Sequence, residues 1–172
     1  MLAIATSVSF MGACAPSTAE PEVPGEVDDG GIFRHPAGVT IAVPAGWRVS
    51  RTSDTMSLLS PSQAVLMMFF VVEADELEVA LRAMDKTIAG YIDDAEIENR
   101  RQTEINGMNA IVADGAGKMD GERVEVGIAL ALTPIGKVLI VLGLARASAP
   151  PERQQEVQRI IRSIAPAVGS SS

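Results

Sequence analysis

Two stretches of this chain are apolar at every position, and they limit what it can fold into more than any other feature. Residues 64–72 read AVLMMFFVV and residues 138–144 read VLIVLGL. A helix that crosses a bilayer needs about 20 such residues, so runs this short are strands. A strand with no polar face must be covered on both sides. Both runs are therefore expected near the middle of one sheet, with packed layers above and below it. The 47% hydrophobic content is enough to build those layers in a chain of 172 residues, which is the size of one ordinary domain.

The flanking patterns supply partners for these strands. Val124, Val126, Ile128, Leu130 and Leu132 alternate with Glu125, Gly127, Ala129, Ala131 and Thr133. This period of two belongs to a strand, and its small-residue face suits close packing by a helix. Pro134-Ile135-Gly136-Lys137 separates it from the second apolar run. Residues 127–145 are therefore a hairpin, although their single charge gives them the look of a membrane span. Residues 55–59 and 64–72 form another hairpin around Ser60-Pro61-Ser62, and 96–105 and 108–114 a third around Asn106-Gly107. Asp120-Gly121 turns the chain into 123–133. Earlier strands are expected at 32–34, 39–43 and 47–51, divided by His35-Pro36-Ala37-Gly38 and by Pro44-Ala45-Gly46.

Two segments have helical spacing instead. Leu77, Leu81, Met84, Ile88 and Ile92 make one stripe over residues 75–92, and Glu73, Asp75, Glu76 and Glu78 sit where they favour the N-terminal end of the helix dipole. A second helix starts at Pro150-Pro151-Glu152, carries Val157, Ile160, Ile161 and Ile164, and ends before Pro166. The fold class is α+β, a mostly antiparallel sheet sandwiched by helices in an α/β/α arrangement.

The ends of the chain read differently. Residues 2–13 are uncharged and end in Phe10-Met11-Gly12-Ala13-Cys14, which resembles the lipobox of bacterial lipoproteins. That resemblance makes residues 1–13 a signal peptide and Cys14, the sole cysteine, the site of lipid attachment; Ala13-Cys14-Ala15 also fits the small-x-small cut of ordinary secretion. Ala15 after the cysteine, rather than Asp, implies the periplasmic face of the outer membrane in a cell that has one. Residues 14–31 follow as an acidic flexible tether, poor in apolar side chains, and 167–172 as a disordered tail. Of the 22 acidic residues, Glu20, Glu22, Glu26, Asp28 and Asp29 fall in the tether, leaving 17 against 14 basic residues in the rest of the chain. The clustered basic face that a nucleic acid requires is not evident in this pattern, so no nucleic-acid partner is expected.

No catalytic or metal-binding constellation is recognisable. His35 is the only histidine and lies in an expected turn, where it reads as a turn residue rather than a general base. Asp93, Asp94, Glu96 and Glu98 are dense but lack calcium-loop spacing, and read as a solvated strand edge. Arg100-Arg101 reads the same way. Met56, Met67, Met68, Met84, Met108 and Met119 are core filler or, if some line a groove between sheet and helix, an adaptable apolar surface. No cofactor is expected.

The opening FRHPAGVTIAVPAGWRV, the order of strands and helices, and the closing VQRIIRSI resemble the Mog1/PsbP-like domains, including their bacterial lipoprotein branch of unknown function. The resemblance covers residues 32–166 less the last position. It implies an antiparallel sheet flanked by helices and no enzymatic activity, in a group whose members bind other proteins: photosystem II, a small nuclear-transport GTPase, or secreted bacterial effectors. The expected function is a non-catalytic cell-envelope lipoprotein, held to the membrane through Cys14, whose folded domain binds or scaffolds a protein partner. The alternative is a carrier or chaperone for an apolar ligand or apolar protein segment in a groove between sheet and helix.

Overall fold

The computed structural model describes residues 25–26, 30–73, 77–88 and 90–167. Its elements are, in chain order, β1 (Gly25–Glu26), β2 (Gly31–His35), β3 (Val39–Val43), β4 (Arg48–Arg51), β5 (Thr55–Leu59), β6 (Val65–Val72), α1 (Leu77–Ile88), β7 (Asp93–Ile105), β8 (Met108–Met119), β9 (Glu122–Leu132), β10 (Val138–Arg146), α2 (Pro151–Ser163) and β11 (Ala165–Pro166). The two apolar runs become neighbours. They lie at the centre of an eight-stranded antiparallel sheet in the order β1-β4-β5-β6-β10-β9-β8-β7. Among the described residues no helix is long and apolar enough to cross a membrane.

Pairing divides each run between two cores. Val65, Met67 and Phe69 of β6 join Leu139 and Val141 of β10 in a cluster closed by Trp47, Ile41, Ile160 and Ile164. Met68 joins Val138, Ile140, Leu142 and Leu144 on the opposite face, where α1 supplies Ala80, Met84 and Ile88. Both faces are covered, which is why neither run needs a polar side. The first face is covered by more than a helix. A three-stranded sheet, β11-β3-β2, stands there beside α2 and was not foreseen, because the two-residue strand after α2 carries no pattern of its own.

Hydrogen bonds hold α2 to both sheets. The Ala42 N–H donates to Ser163 Oγ at 2.9 Å, and Asn106 Nδ2 donates to the carbonyls of Arg162 and Ile164 at 2.8 and 2.6 Å. The indole Nε1 of the fully buried Trp47 donates to Glu156 Oε2 at 2.9 Å, and Arg153 binds the same oxygen. A hydrogen bond to a carboxylate is worth about 1.5–3 kcal/mol when its loss leaves a buried donor unpaired. Glu156→Ala is expected to destabilise the protein by about that much. Urea denaturation measures the loss, and emission from Trp47, the only tryptophan, should shift to the red as α2 loosens.

Several features differ from the sequence expectation. Helix α1 ends at Ile88, and Ile92 is buried beside it from the following turn, with its N–H still on the Ile88 carbonyl at 2.9 Å. The side chain of Leu81 lies outside the described residues. Strand β8 continues past Asp114 to Met119, because Gly115 and Gly117 let bulged β7 lie close against it. Gly25–Glu26, within the expected tether, pairs with Val49 and Arg48 of β4. Finally, α2 packs toward β3 and does not lie over the small-residue face of β9 near Gly127.

Candidate functional site

That placement of α2 leaves a concavity beside it. On the α2 side of the sheet the register sets Asp114 of β8, Gly127 of β9, Gly143 of β10 and Met67 of β6 in one row across four strands. Two adjacent glycines at the centre of a sheet face leave a trough. A Cβ placed on Gly127 would meet nothing within 4 Å. Ala129, Val141 and Ala145 extend the floor, and Val157, Gln154 and Gln158 of α2 form one wall. The resulting groove has a volume of ≈ 1170 Å³ and opens to solvent.

The floor is small and apolar, whereas the rim is charged. Arg101 and Asp114 pair across β7 and β8 at 3.4 Å, and both are exposed. Arg123 and Glu125 border one side, and Arg159 and Arg162 stand on α2. Exposed pairs of this kind contribute little to stability, about 0–1 kcal/mol, so the fold does not depend on them.

The residues weighed for chemistry are dispersed. Cys14 lies outside the described residues. His35 ends β2, buried against Phe69 with ring centroids 6.5 Å apart, and is not among the residues that line the groove. Its Nδ1 accepts the Ala37 N–H at 3.2 Å, which puts the proton of the neutral ring on Nε2, where no hydrogen-bond partner completes the geometry. Burial holds its pKa below the ordinary 6.5, and the Phe69 backbone opposes that fall without reversing it. In the window just below pH 6.5 the unfolded chain therefore binds a proton that the folded chain refuses. Stability should fall as pH drops through that window, and His35→Gln should flatten the slope of urea midpoints measured from about pH 7.5 to 5. Asp94 is held below its usual value by a hydrogen bond from Lys118 and by its charge, at 2.8 Å, so its contribution is lost only under about pH 3.8, outside this window.

Asp93, Asp94, Glu96 and Glu98 are exposed along edge strand β7, and among the described residues no cluster of His, Cys, Asp or Glu is able to hold a metal ion. Met56, Met67, Met68, Met84 and Met108 are buried in the cores, and Met119 is half-buried. Of these, Met67 alone borders the groove, in the row of Gly127 and Gly143, so the floor is mostly glycine, alanine and valine rather than methionine. Arg123, Arg159, Arg162 and Gly143 were not singled out from the sequence. The one legible signal was the small-residue face that includes Gly127; Gly143 joins it only through strand register.

No protein-family model matches the sequence, and no curated protein matches it. Solved structures do match. Cyanobacterial PsbP from Synechocystis sp. PCC 6803 superposes with a TM-score of 0.59 at 12% identity, over 90% of this chain and 97% of that one. The Saccharomyces cerevisiae Ran-binding protein Mog1p superposes with a TM-score of 0.52 at 13% identity, over 80% of this chain and 95% of the yeast chain. The fold is Mog1/PsbP-like. A Bacteroides thetaiotaomicron VPI-5482 protein also matches, with a TM-score of 0.57 at 10% identity; this chain covers 79% of itself in that match and only 48% of the Bacteroides chain, about half its length. At these identities the likeness concerns the Mog1/PsbP-like architecture, in which this chain's own side chains make the groove.

Proposed function

We propose that this protein is a non-catalytic binding protein of the cell envelope, in which a segment of a protein partner docks in the groove between α2 and the sheet. The observation that carries the reading is the open floor over Gly127 and Gly143, a volume of ≈ 1170 Å³ that no part of the described chain fills. Its surroundings favour a polypeptide over an apolar carrier role. An acyl chain gains most from an enclosed apolar cavity, and this groove is open and edged by Gln154, Gln158 and arginines. The Mog1/PsbP-like fold supports the same reading, since one structure that shares it is a Ran-binding protein.

The lipid on Cys14 is the second part of the proposal. It would place the groove at the membrane surface, because two or three acyl chains together hold a protein where one does so only reversibly. Intact-mass measurement after expression with the native leader tests this: the expected product starts at Cys14 and carries diacylglycerol, and a secreted form without added lipid mass removes the anchor. For the groove, a photo-reactive amino acid is placed at Gln158, on the α2 wall, in cells. Crosslinking to a reproducible protein is expected. No protein adduct there, or the same adducts formed equally from exposed Ile135 on the β9–β10 turn, would sink the docking reading.

A further inference from the structure

The groove differs in charge from the chain as a whole. The protein carries a formal −8, yet the groove is bordered by four arginines, Arg101, Arg123, Arg159 and Arg162, and by two carboxylates, Asp114 and Glu125. Asp114 is engaged by Arg101, and Arg159 lies 4.0 Å from Glu156. Among the described residues no ion pair engages Arg123 or Arg162. Both are exposed, and they stand on different elements, β9 and α2. Two rim arginines that no internal ion pair uses, on an acidic protein, are matched by an anionic partner.

The floor adds a second requirement. Backbone groups of β9 and β10 are already paired with each other, so an incoming chain cannot add to the sheet there. What the floor offers is volume over Gly127 and Gly143, to be filled by a bulky apolar side chain. Resting on the docking reading above, we infer that the groove takes an acidic polypeptide segment, with a large apolar side chain seated over Gly127 and carboxylates directed to Arg123, Arg159 and Arg162. Gln154 and Gln158 face the same space and offer amide donors and acceptors to the peptide backbone.

The test uses the full-length chain bearing Cys14→Ser, which leaves the groove unchanged and removes lipid from the measurement. Its probes are a short fluorescent peptide of alternating Glu and Leu, the same peptide with Lys for Glu, and phosphatidylglycerol vesicles. The acidic peptide should bind at least about tenfold more tightly than the basic one, and the difference should shrink as salt rises from about 0.05 to 0.5 M. Arg123→Glu with Arg162→Glu should weaken the acidic peptide by roughly tenfold or more and reverse the preference. Gly127→Phe should weaken binding by filling the floor, and circular dichroism should show both variants folded. Equal affinity for the two peptides, or indifference to the double charge reversal, overturns the acidic partner. Vesicle binding without peptide binding overturns it in favour of an anionic lipid. Should neither peptide bind while crosslinking from Gln158 still captures a protein, the docking reading stands and the acidic partner falls; if crosslinking also fails, both fall.

Discussion

Glutamate at either of two successive positions, Leu139 or Ile140, is expected to leave the protein unfolded at room temperature. In most sheets such neighbours behave oppositely, since one faces the core and the other solvent. Here Leu139 is fully buried among Phe69, Ala131 and Ile160, and Ile140 is 5% exposed in the cluster that faces α1. Removing a buried leucine or isoleucine costs about 2–5 kcal/mol, and burying a carboxylate without a partner costs several more. The sum matches or exceeds the roughly 5–15 kcal/mol by which a domain is stable. Far-UV circular dichroism of the two variants should show a lost native spectrum, while Ile135→Glu, at a 55% exposed turn position, melts like the parent. A native melting curve for either buried variant would mean that one face of β10 is open, contrary to the packing described.

Two glycines one strand apart should respond in opposite directions to alanine. Gly115 faces the α1 side, where bulged β7 crosses it so closely that a Cβ would stand 2.3 Å from the Glu96 carbonyl oxygen and 3.0 Å from the Ile97 Cα. The obstacle is backbone, so relief requires β7 and β8 to separate. Overpacking of this kind costs about 1–3 kcal/mol or more. Gly127, on the opposite face, has nothing within 4 Å, and alanine there removes only the excess freedom of glycine in the unfolded chain. That gain is about 0.5–1 kcal/mol. Urea denaturation of Gly115→Ala and Gly127→Ala should therefore move the midpoint down and up respectively. A fall of similar size in both would show that the groove floor is filled, and with it the space proposed for a partner would disappear.

Nothing in the local sequence distinguishes these glycines. Gly115 and Gly117 sit among small residues in Ala113-Asp114-Gly115-Ala116-Gly117, which read as the end of a strand because glycine weakens strand preference. The strand continues because β7 bulges at Asp94 and Asn99, both with φ of 52°, and needs the room. The Asn106-Gly107 turn was legible for a local reason: both residues adopt positive φ, 47° and 81°, which that pair tolerates and most others resist. Likewise α2 was placed by its prolines and apolar spacing, but where it would lie was not. Ser163, Glu156 and Asn106 carry no sequence mark of the bonds that fix its position.

The sequence by itself determined what depends on neighbours along the chain. The two fully apolar runs required a central pair of strands covered on both faces, the period of two made 127–145 a hairpin, and spacing of three and four placed both helices. Tertiary structure alone decided what depends on register and on the position of one layer over another. Gly127 and Gly143 lie 16 positions apart in sequence and become adjacent only because β9 and β10 pair at that register. Arg101, Arg123 and Arg162 come from three elements and share one rim only because α2 stands to the side of the floor. Periodicity tells which face of a strand is apolar, since the backbone alternates by itself. It does not tell which stretch of that face a helix will cover, because that is set by hydrogen bonds and packing between residues far apart in the chain.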